Sequence, residues 1–376
     1  MMVGEIAYSY VPDDWDQEKF LALGGFTVVF LNYNKASFIE RSVASALNQD
    51  FPLCEMFFMD DASTDGSGDT MERLVRAYRG RHKVTVVRNT ENQRITGQWN
   101  IVSKLATGNW LGMFCGDDIA YPDRVTKAAA IVSAHPTLKG FCTGASAIDV
   151  RTGGRRHEPQ NREGVIVYRG GEGLWNISTQ SDLIFGATAW WHKSLFDVSL
   201  KFAPLDDVHL RWVLQAKYAL SSDEVWLCAG RLETIEYSVG CGVSSEMNPR
   251  NDIKRGSIEQ WLLNTEAMRK FYQLMIQTYE GVESYFRENK IGGDVNVALG
   301  LGQFKFRALN GNTFKRVCLL PRLIALTMNR RIPRSVRKSL HLEYSKFFIQ
   351  ELFGLRVASV LSTCSRLLGC GVLQKK

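Results

Sequence analysis

Five apolar runs alternate with amphipathic helical segments between residues 25 and 150, and few folds can accommodate that order. Each run is short, rich in aliphatic and aromatic residues, and ends near polar side chains. The runs are 25–34, 54–59, 83–89, 109–118 and 138–150. Short apolar strands that alternate with helices predict an α/β domain, in which helices flank a mostly parallel, Rossmann-like sheet.

Polar clusters follow three of these predicted strands, at Asn32–Asn34, Asp60–Asp61 and Asp117–Asp118. In open α/β sheets, ligands bind in the crevice outside the carboxyl ends of the strands. We therefore expect the three clusters, which are far apart in sequence, to converge on one crevice.

The composition is that of a globular protein of one large or two ordinary domains. The chain has 376 residues, of which 45% are hydrophobic and 23% are charged. Its 8 cysteines are scattered without a C-x-x-C pair, which indicates reduced thiols in a reducing compartment. The acidic N-terminus lacks a signal-peptide core, and we see no apolar stretch long enough to cross a bilayer. These features predict a cytoplasmic protein, either soluble or peripheral on the inner face of the membrane.

The C-terminal segment 301–376 is strongly basic, with 15 Lys and Arg against 2 Asp and Glu. The rest of the chain carries 31 Lys and Arg against 37 Asp and Glu. We expect a mainly helical segment that either docks on an anionic membrane surface or packs as an oligomerisation module. Nucleic-acid binding is disfavoured because no recognised module is present.

The stretch after the second strand also satisfies the spacing of an EF-hand calcium loop. Its ligand positions are Asp61, Ser63, Asp65, Ser67, Asp69 and Glu72. Calcium is disfavoured because the preceding run "CEMFFM" is better interpreted as a strand than as a helix, and because Gly68 occupies a position that is normally apolar. A simpler alternative is that these side chains cap the next helix and shape the turn.

The second acidic pair, Asp117 and Asp118, indicates a role beyond capping. Adjacent carboxylates repel each other and are costly near a core unless a cation or hydrogen-bond donors offset them. Oxygen ligands suit Mn²⁺ or Mg²⁺ shared with substrate phosphates, where the ion neutralises a diphosphate leaving group. The chain has no G-x-x-x-x-G-K-[ST] loop and no G-x-G-x-x-G after the first strand, which disfavours P-loop NTPases and dinucleotide dehydrogenases.

Two segments carry a family resemblance. "VVFLNYNKASFIERSVASALNQDFPLCEMFFMDDASTDGS" and "TENQRITGQWNIVSKLATGNWLGMFCGDDIAYPDRV" together resemble a family-2 inverting glycosyltransferase of the glycosyltransferase-A fold. The resemblance covers about residues 25–245, and the combination of the N-Y-N, D-D-x-S-x-D-x-S and D-D motifs is what makes it specific.

The resemblance implies a donor site for a nucleotide-sugar. Leu31 and Asn32, with the Tyr33 ring, would line the pocket for the base. Asp61 would accept a hydrogen bond from the base N–H, while Ser63 and Asp65 fix the turn. Arg94 matches a position that contacts base or phosphate.

The resemblance also assigns the metal site and the catalytic base. Asp118 would bind Mn²⁺ or Mg²⁺, and Asp117 would contact ribose or the metal through water. The segment "PLDDVHLRWVL" offers Asp207, with Asp206 as the alternative, to take the proton from the acceptor hydroxyl. The pair could instead cap the following helix. Val208 stands where processive synthases carry Gln, which favours a single-addition enzyme.

One departure concerns a histidine that relatives often carry near the end of the catalytic domain, against metal or diphosphate. Here "IEYSVGCGVSS" offers Gly240, Cys241 and Gly242 instead. The resemblance therefore leaves the third protein ligand of the metal open.

The predicted function is transfer of one sugar from a nucleotide-diphosphate sugar, with UDP or dTDP favoured, to a glycan or lipid-linked acceptor. Surface-polysaccharide assembly (capsule, O-antigen or lipopolysaccharide) is the expected context. A sugar nucleotidyltransferase is one alternative, although "LNYNKAS" lacks the glycine-rich phosphate loop that it would need. A non-catalytic nucleotide-sugar-binding scaffold is another.

The predicted organisation has four parts. Residues 1–24 form an N-terminal extension, 25–150 a nucleotide-sugar-binding half, 151–250 an acceptor-binding half, and 251–376 the helical, basic C-terminal region.

Overall fold

The computed structural model describes most of the first 241 residues and two helices beyond them. The described residues are 4–150, 152–157, 165–169, 184, 186–196, 213–214, 225–241, 265–288, 290, 294–310, 328–329, 332 and 337. They fall into two compact units, one within residues 1–173 and 182–243 and the other mainly within 244–376. The four-part organisation expected from the sequence stays a prediction.

The first unit is an α/β domain. Its helices are α1 (Gln17–Ala22), α2 (Ile39–Leu47), α3 (Ser67–Ala77), α4 (Arg94–Leu105) and α5 (Arg124–Ala134). Its strands are β1 (Gly4–Tyr10), β2 (Phe26–Asn32), β3 (Glu55–Asp60), β4 (Lys83–Asn89), β5 (Trp110–Cys115), β6 (Ile119–Ala120), β7 (Leu138–Asp149), β8 (Arg155–His157), β9 (Val165–Arg169), β10 (Ala189–His192) and β11 (Val225–Val239).

Within the described residues, all these strands join one mixed sheet. Its order is β1-β4-β3-β2-β5-β10-β7-β11-β6, with β8 paired to β7 and β9 paired to β11. The central strands β4, β3, β2 and β5 run parallel, while β1 and β10 flank them in antiparallel orientation. A mostly parallel core that continues into a mixed second half matches the predicted fold class.

The parallel strands form the core because their sequences are apolar on both faces. Every residue of β2 and of β3 is buried, as expected where helices cover both sides of a parallel sheet. Phe30 and Phe58 pack ring against ring with centroids 5.1 Å apart. Trp190 on β10 packs edge-on against Phe26 and continues this core into the second half of the sheet.

One local expectation changes in the structure, and one predicted segment gains detail. The sequence predicts a helix over 35–50 with Ser37 and Glu40 as a capping box, but α2 begins at Ile39 after Phe38 and has no side-chain cap. The chain before the helix is instead held by a neighbouring loop, as described below. The predicted N-terminal extension also contains ordered elements, because β1 pairs along β4 at the edge of the sheet.

The second unit contains two described helices, α6 (Thr265–Glu288) and α7 (Asp294–Asn310). They pack closely at Gly302, where a Cβ atom would lie 2.2 Å from the ring of Tyr279. Gln303 also donates to the carboxylate of Glu283 at 2.8 Å. Among the residues described, no helix is long and apolar enough to cross a membrane. Most of the basic segment 301–376 lies outside the described residues.

Candidate active site

The polar clusters lie together at the carboxyl edge of the parallel strands. In the β2–β3 register Asn32 is opposite Asp60, and in the β2–β5 register Leu31 is opposite Cys115. The loops that carry Asp61 and Asp117 therefore leave the same edge of the sheet. The structure thus brings the three sequence clusters to one region.

The first two loops at this edge are bound to each other through four backbone amides. The Asn34 and Lys35 amides donate to the hydroxyls of Ser63 and Ser67, and the Ala36 amide donates to Asp65 at 2.8 Å. In return, the Thr64 amide donates to the Asn34 side chain at 2.8 Å. The loop after β3 therefore holds the loop after β2, as well as shaping its own turn.

Asn32 occupies a supporting position beneath these loops. Its side-chain amide is fully buried and donates to Asp60 at 2.8 Å and to the Ser67 hydroxyl at 3.1 Å. Arg88 pairs with the other oxygen of Asp60 at 3.3 Å. Gly68 is required here because a Cβ atom would lie 2.6 Å from Asp60. Asn32 was predicted as a donor-site residue, and its side chain is directed into the protein.

The other predicted donor-site residues lie around Asp61. Its Oδ1 accepts from the Asn89 side chain at 2.8 Å and from the Gln93 amide at 2.7 Å, and burial raises the pKa of its carboxyl group. Arg94 begins α4 directly after this amide, with a positive φ of 55° and an exposed side chain. Tyr33 is 39% exposed, so its ring is available to a ligand.

The loop after β5 carries the acidic pair and is attached to the sheet at both ends. The Gly116 amide donates to the Leu31 carbonyl at 2.9 Å, so the Leu31 backbone holds this loop. Asp118 is 5% exposed and accepts from the Ser238 amide at 2.9 Å. Burial and the neighbouring Asp117 charge raise the pKa of Asp118 well above its ordinary value.

Lys35 supplies a cation to the same place. Its ammonium group lies 2.8 Å from Oδ2 of Asp117 and donates to the Cys241 carbonyl at 2.8 Å. Burial alone would lower the pKa of Lys35, but Asp117 outweighs it and the pKa is raised. One side chain thus connects the first loop, the acidic pair and the end of β11.

Two thiols complete the surroundings of the acidic pair. The Cys241 thiol lies 3.8 Å from Oδ2 of Asp117, and burial together with that carboxylate raises its pKa to about 12. The side-chain ligand atoms of Cys115, Asp117 and Asp118 all lie within 4.8 Å of one another. This donor set could hold a divalent cation.

Sequence reasoning missed several of these contacts. Asp206 and Asp207 lie outside the described residues. Lys35 directly follows the N-Y-N motif and Cys115 directly precedes G-D-D, so both stood beside recognised signals. No sequence pattern connects Cys241 to Asp117, because 124 residues separate them.

The α/β sheet with acidic loops at its carboxyl edge is consistent with the predicted glycosyltransferase-A fold, and a solved structure of similar fold supports it. Residues 27–185 match the family described as Glycosyl transferase family 2. The structure of Staphylococcus aureus TarS, residues 1–349, superposes with a TM-score of 0.50 at 16% identity, covering 88% of this chain and 92% of that one. The family match over residues 27–185 supports the family-2 glycosyltransferase that the sequence predicted.

Two curated relatives show how far the similarity extends. EpsE of Bacillus subtilis is 29% identical over 123 residues, which are 33% of this chain and 44% of EpsE. Chondroitin synthase of Escherichia coli is 29% identical over 189 residues, which are 48% of this chain and 25% of the synthase. This chain thus spans less than half the length of each.

Proposed function

We propose that this protein is a metal-dependent, inverting glycosyltransferase that transfers one sugar from a nucleotide-diphosphate sugar to a glycan or lipid-linked acceptor. The observation that carries the proposal is the meeting of Asp61 and the Asp117–Asp118 pair at one edge of the sheet in a family-2 domain. That arrangement offers separate sites for a base and for a diphosphate.

Asp61 is the proposed reader of the base, with UDP or dTDP favoured. Its carboxylate is fixed by Asn89 and the Gln93 amide, so its direction is set before a ligand arrives. The exposed ring of Tyr33 can cover a flat base. Arg94 directly follows Gln93, whose amide binds Asp61, and its exposed side chain is proposed to contact base or phosphate. Leu31 would contribute through its backbone.

Asp118, with Asp117, is the proposed holder of Mn²⁺ or Mg²⁺. The donor set fits a cation because two carboxylates lie together. Asp118 is also nearly buried, and among the described residues the Ser238 amide is its hydrogen-bond donor. When bound, the ion would neutralise charge on the leaving diphosphate. The protein's own part is to hold these carboxylates in a fixed, partly dry place.

Asp207 is the proposed base, with Asp206 as the alternative. Inverting transfer needs one carboxylate that takes the proton from the acceptor hydroxyl as that oxygen attacks the anomeric carbon. The similarity to a protein named chondroitin synthase supports a role in surface-polysaccharide assembly. Docking of the basic segment 301–376 on an anionic membrane is proposed from its charge alone.

The test is titration calorimetry of the full chain with UDP, dTDP and GDP, each with and without Mn²⁺. We expect metal-dependent binding of UDP or dTDP, about 10–100-fold weaker in Asp61→Ala and lost in Asp118→Ala. Asp14→Ala, an exposed acid far along the chain from the crevice, is the matched control. Absence of binding to all three diphosphates by the folded protein would contradict the proposal.

A second assay separates an enzyme from a binding scaffold. Release of nucleotide diphosphate from UDP-sugars is measured for the wild type and for Asp207→Asn. Catalysis predicts turnover that falls by about 10²–10⁴ in Asp207→Asn while diphosphate binding persists. A scaffold predicts binding without turnover in both proteins.

A further inference from the structure

We infer that the acidic pair belongs to a mixed thiol–carboxylate metal site, in which Cys115 and Cys241 join Asp117 and Asp118. Such a site takes a thiophilic divalent cation, of the class of Zn²⁺, Cd²⁺ or Co²⁺, more tightly than it takes Mg²⁺. This inference rests on the proposed metal site and adds to it the nature of the remaining ligands.

The distances allow one ion to reach thiol and carboxylate together. The Cys241 sulfur lies 3.8 Å from Oδ2 of Asp117. Two ligands on a tetrahedral ion, at about 2.3 Å for sulfur and about 2.1 Å for oxygen, lie about 3.6 Å apart. The Cys115 sulfur lies within 4.8 Å of ligand oxygens of both Asp117 and Asp118, which places it beside the same two carboxylates.

The two thiols come from different parts of the fold. Cys115 is the last residue of β5, and Cys241 follows β11. Both are free thiols in the structure. Their approach to one carboxylate pair therefore results from the tertiary fold and not from neighbouring positions in the chain.

The chemistry of this donor set sets the metal preference. Carboxylate and water oxygens suit Mg²⁺ and Mn²⁺, whereas thiolates favour Zn²⁺ and other softer ions. On binding, each thiol gives its proton to solvent and coordinates as the thiolate. Two sulfur ligands beside two carboxylates therefore shift selectivity away from Mg²⁺.

Lys35 competes with the ion for Asp117. Its ammonium group occupies Oδ2, the same oxygen that Cys241 faces. This contact neutralises one of the two adjacent carboxylates. An ion that binds there must displace this ammonium group, so Lys35 lowers the affinity of the site without removing it.

The experiment is titration of the reduced full-length protein with CoCl₂ under anaerobic conditions, followed by absorption. A thiolate ligand gives a near-ultraviolet charge-transfer band that carboxylates do not give. We expect this band in the wild type, and we expect it to disappear in the Cys115→Ser/Cys241→Ser double variant. Co²⁺ affinity in that variant falls at least about tenfold, since loss of even a supporting partner of a ligand costs about 10–100-fold.

Controls separate the thiols at the site from the others. Cys54 is a buried thiol directly before β3, at the end of the parallel strands away from the acidic pair. Cys54→Ala should leave the charge-transfer band unchanged. Each single serine variant reduces the band and retains the native circular dichroism spectrum. Cys241→His retains Co²⁺ binding with a weaker charge-transfer band, because imidazole replaces one thiolate.

The readout does not depend on sugar transfer, so the two proposals can fail separately. Mn²⁺ binding by the wild type without any Co²⁺ charge-transfer band would overturn the thiol ligands and leave the glycosyltransferase proposal standing. A band that persists in the double variant would also overturn this inference. Absence of binding of both CoCl₂ and MnCl₂ would contradict the metal site itself.

Discussion

Two buried carboxylates at opposite ends of the parallel sheet, Glu55 at the amino end and Asp118 at the carboxyl end, have contrasting surroundings. At the amino end, Glu55 is enclosed by donors: it accepts from the Thr27 hydroxyl at 3.0 Å and from the Thr107 amide at 2.8 Å, and it pairs with Lys83 at 3.0 Å. At the carboxyl end, Asp118 accepts a hydrogen bond from the Ser238 amide. The negative charge of the adjacent Asp117 repels the Asp118 carboxylate and raises its pKa.

The difference teaches which carboxylates serve the fold and which are left for a ligand. A buried carboxylate that is surrounded by donors is satisfied by them. Removing that carboxylate leaves the donors without an acceptor, which lowers the free energy of unfolding. A buried carboxylate that lies beside a second carboxylate lowers stability and persists where function requires it. Substitutions at the two ends should therefore separate activity from stability.

Asp118→Asn should give the largest effect on activity. We expect turnover to fall on the order of 10³-fold, about 4 kcal/mol in activation free energy, because the carboxylate that would hold the cation is lost. Stability should be unchanged or higher, since the amide removes the repulsion from Asp117. Nucleotide-release kinetics and urea unfolding are the measurements. A variant that unfolds more easily than the wild type would contradict the comparison.

Glu55→Gln should have the reverse effect. Removing one partner of a buried ion pair leaves Lys83 uncompensated, and we expect a loss of about 3 kcal/mol in the free energy of unfolding. The affinity for UDP of the folded fraction should not change, because the residue lies a strand length away from Asp61. Glu91→Gln, at an exposed position, is the control for urea unfolding. Weakened UDP binding at full stability would argue against separate roles for the two ends.

His82, also near the amino end, should make stability depend on pH. It is 1% exposed, accepts from the Cys54 amide through Nδ1, and contacts the Gln49 carbonyl through Nε2. Burial lowers its pKa from 6.5 to about 4, so the folded protein holds it neutral. Its contribution is complete above pH 6.5 and is lost as the pH falls towards 4, by about 2–3 kcal/mol.

Urea unfolding between pH 7 and pH 4 measures this effect. In His82→Gln the slope should be shallower than in the wild type, and the remaining slope should include His192, whose pKa burial also lowers to about 4. His135→Gln, at the half-buried position that follows α5, is the control. An unchanged slope in His82→Gln would show that this histidine does not set the pH dependence.

The sequence predicted the sheet and the convergence of its polar loops because both depend on local patterns. Apolar runs of strand length indicated buried parallel strands, and residues at strand ends necessarily meet at one edge. The same reasoning placed Asp61 and Asp118 in one region. It needed no knowledge of how one loop contacts another.

The remaining features depend on contacts that no local pattern records. Ser37 does not cap α2, because the preceding loop is fixed by Ser63 and Asp65 from a different part of the chain. Asn32 was expected near the base, but its amide is used to hold Asp60. The pairing of Lys35 with Asp117 joins positions 82 residues apart, which sequence spacing alone could not indicate.

Lys35→Gln should produce the smallest effect and sharpen the comparison most directly. Lys83 fixes Glu55 permanently at the amino end, whereas Lys35 would be a temporary partner that a metal displaces from Asp117. Removing the competing ammonium group should raise the affinity for Mn²⁺ by about 3–10-fold, or about 1 kcal/mol. Calorimetric titration with MnCl₂ in the absence of nucleotide measures the change, and Lys35→Arg, which keeps the charge, should not show it. Weaker Mn²⁺ binding in Lys35→Gln would mean that Lys35 holds Asp117 in place, as Lys83 holds Glu55. The lysines at the two ends of the sheet would then have the same structural role.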